Sequence, residues 1–405
     1  MKKICLTVVG MYFMLLHAFS QVTRDSAAFK PRKLKLDEVN LVSSYYTQNG
    51  DHSAVRGGIG SEKVTDLANG VELKWVGWDA HQRKNTLTAG VGIDYHTAAS
   101  QAYISKTGAS RRKDGTRLYP SLDWTREDER KGTSFSLGAY YSNEFNYQSL
   151  GFSAGGTKKT KTNGEFGLKL SGYFDKVKLI FPSEFEPAYP SGGGGSGGGR
   201  ENEHPNYGSS PRETYTASFS FTQVINTRLQ AAFLFDLVEQ HGYLGLPFHR
   251  VYFNDATDLV EKLPSNRFKL PLGVRLNYFL GDKVILRSYY RYYVDNWGIR
   301  SHTASLEVPV KLTPFFSVTP FYRYYTQSAA NYFAAYQQHK TTDLYYTSNY
   351  ALSAFNSHFF GAGIRMAPPK GLFNSHLSSL ELRFGHYTQT TDLVSNVISL
   401  HMQFK

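Results

Sequence analysis

The feature that most constrains this chain is a strict two-residue alternation that recurs along its length. Over residues 267–278 one parity reads Phe268, Leu270, Leu272, Val274, Leu276 and Tyr278, and the other Arg267, Lys269, Pro271, Gly273, Arg275 and Asn277. Alternation at period two places one set on each face of a β-strand, and twelve residues exceed what a small soluble sheet needs. The same pattern returns at Tyr215, Ala217, Phe219 and Phe221, at Leu229, Ala231, Phe233, Phe235 and Leu237, and at Val284, Leu286, Tyr290, Tyr292 and Val294. Aromatic residues end or bracket these apolar rows, as they do where rings sit at the two membrane interfaces. No stretch after the N-terminal leader approaches the run of about eighteen apolar residues that a membrane helix needs. The expected fold is all-β, a transmembrane antiparallel β-barrel.

Sixteen segments of barrel-strand length follow from the alternation: 38–48, 67–78, 85–96, 117–126, 133–143, 147–156, 163–177, 214–223, 227–239, 265–280, 283–295, 299–311, 315–326, 357–367, 376–388 and 392–405. The count drops to fourteen if the weak segment Tyr147–Thr157 is loop. Every second connection is short and polar or basic, such as 127–132, 281–282 and 313–314, and most of the others are long, such as 49–66, 178–213, 240–264 and 327–356. Short turns belong on the periplasmic side and long loops outside, with both termini periplasmic. In the last strand Val394, Ile398, Leu400, Met402 and Phe404 share one face, a pattern similar to the C-terminal signal read by barrel-assembly machinery, with Lys405 as a departure from a terminal aromatic.

Residues 1–20 read as a signal peptide: Lys2 and Lys3, an apolar run from Ile4 to Phe19, and small Ala18 and Ser20 before Gln21. Residues 21–37 are then a periplasmic N-terminal segment and residues 38–405 the outer-membrane barrel. The single cysteine, Cys5, lies in the leader, so the exported chain has no disulfide, thiolate metal site or cysteine nucleophile. The formal charge of +12, of which the leader supplies two, would suit nucleic acid in a cytosolic chain. In an exported one it belongs to turns, lipopolysaccharide-facing rims and a lumen. The expected partners are outer-membrane lipids and lipopolysaccharide, barrel-assembly machinery during biogenesis and an envelope lipoprotein, with no nucleic acid.

Several stretches resemble an uncharacterised outer-membrane β-barrel family of Bacteroidetes, a domain-of-unknown-function family. They are Asp37–Asn40 through Tyr45–Val55 and Gly57–Lys63, then Tyr346–Tyr350 with Phe359–Ile364, and Leu382–Tyr387 through Asn396. The resemblance implies an exported barrel that works beside small envelope lipoproteins and redox proteins, and it carries no catalytic residue.

The twelve histidines after the leader form no HExxH or paired ligand motif. Asp51 and His52 are adjacent and alternate faces in an extended chain, which disfavours a shared metal; His96, Asp94 and Ser100 have no spacing specific to a hydrolase. No metal, cofactor or enzymatic activity is expected. The tract 191–199 is a Gly/Ser run in the longest loop, without the strand and helix start of a phosphate cradle, and it resembles a flexible linker, native or synthetic.

The parity opposite the apolar one carries Arg267, Lys269, Arg275, Arg287, Arg291, Arg323, Arg365 and Arg383, with Glu307 and Glu381. Two readings stand side by side. The interior is either a salt-bridged filling or an anion-favouring wall around water, since a sixteen-stranded barrel is wide enough for a channel. The loop 327–356 carries Tyr332, Phe333, Tyr336, Tyr345 and Tyr346, suited to stacking a sugar, plugging the lumen or packing as a crown. The expected function is a channel-like barrel passing small polar or anionic solutes. The alternative is a non-enzymatic scaffold for envelope lipoproteins or redox proteins.

Overall fold

The computed structural model describes residues 31–98, 115–144, 146–181, 185, 208–372 and 375–405. The leader and the Gly/Ser tract 191–199 lie outside the described residues, as do Ser100 and most of the loops 97–115 and 178–213. Nineteen strands follow in chain order: β1 (Arg32–Asn49), β2 (Val64–Trp78), β3 (Lys84–Ala98), β4 (Gly115–Asp128), β5 (Thr133–Asn143), β6 (Tyr147–Lys159), β7 (Gly164–Lys178), β8 (Ser209–Asn226), β9 (Leu229–Gly242), β10 (Arg250–Tyr252), β11 (Asp258–Val260), β12 (Asn266–Leu280), β13 (Val284–Asp295), β14 (Arg300–Glu307), β15 (Val310–Thr313), β16 (Phe316–Gln327), β17 (Phe355–Met366), β18 (Leu377–Gln389) and β19 (Leu393–Phe404).

All but β10 and β11 join one antiparallel sheet, and β1 pairs with both β2 and β19, so the sheet closes on itself. β14 and β15 are two parts of one stave, both paired to β16. They are parted at Pro309, which has no N–H to give the ladder; its carbonyl still accepts from Ile285. The barrel therefore has sixteen staves, and closure removes every sheet edge. The segment 147–156 is strand, extended to Lys159 as β6.

Two ends differ most from the alternation. β1 begins at Arg32 instead of 38, with register shifts between Arg32 and Lys35 and between Leu36 and Glu38. A bulge inverts the parity locally, which hides a strand from a period-two search. β8 begins at Ser209 instead of 214, where Ser209, Ser210, Pro211 and Arg212 offer no apolar row to read.

The apolar parity forms the outer surface. In-register rows run Leu168–Phe219–Phe235–Leu272–Tyr292 and Phe384–Ile398–Tyr45–Leu67–Tyr95 around the wall. Phe384, Ile398, Tyr45, Leu67 and Tyr95 are each exposed. Among the described residues, the fully buried apolar side chains include Val39 in β1 and Val177 at the end of β7, and Val55, Val251 and Phe253 between the staves.

Candidate functional site: a charged interior beneath a loop crown

Side-chain contacts identify the inner face. Glu307 on β14 accepts from Arg383 on β18 at 3.3 Å, although β16 and β17 stand between those strands. Only the concave side of a closed wall allows such a chord. Arg287 reaches the same Glu307 at 3.2 Å and Arg383 also touches Glu381 at 3.5 Å, so alternating charges link β13, β14 and β18.

The other sequence-predicted interior residues lie on this face with different surroundings. Arg267 donates through Nε to Asp295 at 2.9 Å and stacks over Trp297 at 4.3 Å. Tyr293 donates to the same carboxylate at 2.8 Å. Lys269 stands half-buried beside them, in register with Asp295. Arg275 and Arg291 lie over the rings of Tyr289 and Tyr293 at 5.9 and 5.8 Å, and Arg323 over Phe359 at 4.9 Å. Arg365 pairs in register with Glu381. Asp295, the deepest acid of this wall, follows the aromatic run of β13 and was not singled out from sequence. Its Oδ1 also accepts the backbone N–H groups of Trp297 and Ile299, which fixes the β13–β14 turn.

Arg275, Arg287, Arg291, Arg323 and Arg365 are exposed although they point inward. A salt-bridged filling would bury them, since interior charge survives without water only when paired and hydrogen-bonded. Across the interior, β2, β3 and β4 present Asp66, Glu72, Asp94 and Asp123 on the same face, with Tyr119 donating to Asp94 at 2.7 Å.

The long-loop end is covered. Val55, between the first and second staves, packs with Phe248 and Leu246, between the ninth and tenth, and with Ile180 after β7. First and ninth staves are diametrically opposed in a ring of sixteen, so these loops cross the mouth. Arg250 clamps them, donating from Nη1 to the Val55 carbonyl at 2.6 Å. The segment 328–354 completes the crown. Val251, Phe253 and Tyr346 form a second buried cluster, with Phe253 edge-on to Tyr346 at 4.9 Å.

The aromatics of this segment are therefore crown packing: Tyr332 lies edge-on to Trp297 and Tyr345, Phe333 edge-on to Tyr350, and Tyr336 against Tyr252. Gly58 shows how tight the seam is. Its φ of +87° suits glycine, and a Cβ there would stand 2.7 Å from the Ser348 carbonyl oxygen.

Ionisable groups sit inside the crown. Glu261 is buried, with Oε1 accepting from Thr347 Oγ1 at 2.5 Å, Oε2 accepting from the Leu246 N–H at 3.0 Å, and His249 Nδ1 at 3.3 Å. Burial pushes its carboxyl up, but His249 and the hydrogen bonds from Thr347 and Leu246 outweigh that and hold it below the usual glutamate value. His52 stacks on Tyr350 at 3.7 Å with Nδ1 3.0 Å from the Gly58 carbonyl, a packing role. Among the described residues no group of three His, Cys, Asp or Glu is placed to hold a metal.

One cavity of about 410 Å³ remains at the mouth. It lies between the long-loop ends of β1, β17 and β18 (Gln48, Phe355, Gln389) and the crown (Glu62, His249, Tyr350). Burial raises the pKa of Glu62, the Asp51 charge adds to the rise and His52 only partly offsets it. A raised carboxyl pKa means ionisation opposes the folded crown, a cost absent below the unfolded value and complete above the folded one. Glu62→Gln is therefore expected to slow amide exchange in residues 50–63 at neutral pH and leave it unchanged at pH about 3.

Solved structures similar to this chain include one described as the outer membrane protein OpdK of Pseudomonas aeruginosa. Pseudomonas aeruginosa OccK1 (OpdK) is 8% identical over 91% of this chain and 97% of its own, with a TM-score of 0.40. P. aeruginosa OccK7 (OpdD) is 10% identical over 91% and 97%, TM-score 0.42. A TodX deletion mutant, described as a monoaromatic hydrocarbon channel, is 11% identical over 91% and 89%, TM-score 0.42. No curated protein matches the chain. A family model described as "Protein of unknown function (DUF3570)" matches residues 74–397. With that match running from within β2 to within β19, the chain belongs to the DUF3570 family.

Proposed function

We propose that this protein is a non-enzymatic, channel-like barrel of the Gram-negative outer membrane, passing small polar or anionic solutes. The observation that carries the reading is the set of interior arginines that remain exposed to water, Arg275, Arg287, Arg291, Arg323 and Arg365. In a low-dielectric wall they focus a positive potential. The apolar exterior supports the membrane location, with long loops outside and short turns in the periplasm. The crown limits what enters to what fits beside Glu62 and His249. Replacing Arg287 and Arg291 together by Gln is expected to lower chloride preference in planar bilayers while leaving heat-modifiable mobility intact.

The crown also favours a second reading, a scaffold that holds an envelope lipoprotein or redox protein at the outer membrane. Loops that bury their own aromatic core and cross the mouth present a fixed surface. Absence of conductance even after removal of residues 328–354 would favour it.

A further inference from the structure

The outer surface is not uniformly convex. A groove of about 930 Å³ crosses it, with Phe166, Leu168, Phe219, Phe233 and Val274 among its walls. Phe166 and Phe221 stack at 4.5 Å, and Phe219 and Phe235 meet at a tilt at 5.7 Å. Behind it the inner face carries Ser134, Thr157, Gly167, Ser220 and Gly273, small residues that let the sheet lie inward.

Its direction is informative. One in-register row runs Lys158, Phe166, Phe221, Phe233, Val274, Tyr290. Lys158 is next to the last residue of β6, at the short-turn end, whereas Tyr290 lies in the middle of β13. The groove thus climbs from the headgroup level on the short-turn side towards the middle of the wall, the path of one leaflet's acyl chain.

The low end is basic. Lys158 Nζ donates to the Lys131 carbonyl at 2.7 Å, which holds the ammonium at the groove's edge with two donors left. Arg130, Lys131, Lys159, Lys161 and Arg228 occupy the adjoining turns and strand end, against Asp128 and Glu129.

We propose that this groove binds an anionic glycerophospholipid of the periplasmic leaflet, acyl chain against the phenylalanines and phosphate at Lys158. Carbon walls select the chain, and the basic turns select the charge. The inference rests on the barrel spanning a membrane, and is independent of whether it conducts.

The test is native mass spectrometry of the full chain, reconstituted in vesicles of equal phosphatidylglycerol and phosphatidylethanolamine and extracted in mild detergent. Retained phosphatidylglycerol is expected to exceed phosphatidylethanolamine by about fivefold or more, the ratio one lysine near an anionic headgroup supplies. Lys158→Gln with Lys161→Gln should bring the ratio near parity, and Val274→Trp should displace both lipids while heat-modifiable mobility is kept. Parity in the unaltered protein, or a preference indifferent to the lysines, would overturn the proposal. So would a dimer dispersed by Val274→Trp, which would assign the groove to a second copy. Failure to insert into these vesicles would overturn the membrane reading as well.

Discussion

Replacing Glu261 by alanine is expected to destabilise the loop crown by about 3 kcal/mol, the scale of stripping a buried acid from its partners. The carboxylate is the shared acceptor for Thr347 from one loop and for Leu246 from another, with His249 Nδ1 3.3 Å away. Its loss leaves the Thr347 hydroxyl proton and the Leu246 N–H without their acceptor inside the seam. Hydrogen exchange should accelerate in residues 243–265 and 328–354 and stay unchanged in β12. The unaltered crown should show a related acid response. A carboxyl held below its ordinary value contributes stability that is present above that value, near 4.5, and is lost as pH falls through the lower folded one. Exchange in the crown should therefore quicken below pH about 4.5 in the unaltered protein and not in Glu261→Gln. Equal rates for both proteins across that range would remove Glu261 from its place as the seam's acceptor.

Leu272→Arg should cost about 2–4 kcal/mol, as a charge on the lipid face near mid-membrane does, whereas Asn277→Arg should be mild. Leu272 is exposed on the outer face near the centre of β12. Asn277 has the opposite parity and donates to Gln230 at 3.2 Å on the inner face. A one-residue slip would exchange the two outcomes. Folding yield read by heat-modifiable mobility measures the contrast; equal yields for both variants would refute the register.

The wall was legible in the sequence because a barrel strand obeys a local rule. Residues such as Leu272 and Asn277 take opposite faces by parity alone, and all sixteen staves follow from it. Where the rule lapses, at the bulges before Glu38 and at the start of β8, the strand ends were misplaced by several residues. Proline 309 broke one stave without hiding it.

The crown was legible only in part. The aromatic loop 327–356 could be seen, but nothing local says that Val55 meets Phe248 across the mouth, or that Arg250 reaches back to a carbonyl 195 residues earlier. Glu62, His249 and Glu261 were missed for the same reason: isolated in sequence, they acquire chemistry only from contacts between distant loops. The exposure of the interior arginines likewise depends on how far the opposite wall stands from them, a distance that parity does not encode.

The measurement that bears most directly on the proposed water-filled, anion-favouring interior is the zero-current potential of the purified barrel in a planar bilayer under a potassium chloride gradient. The account predicts conductance with a potential of the sign that marks chloride as the more permeant ion, and a preference that shrinks as salt shortens the reach of the interior charges. A potential of the opposite sign, or no conductance with or without residues 328–354, would contradict it.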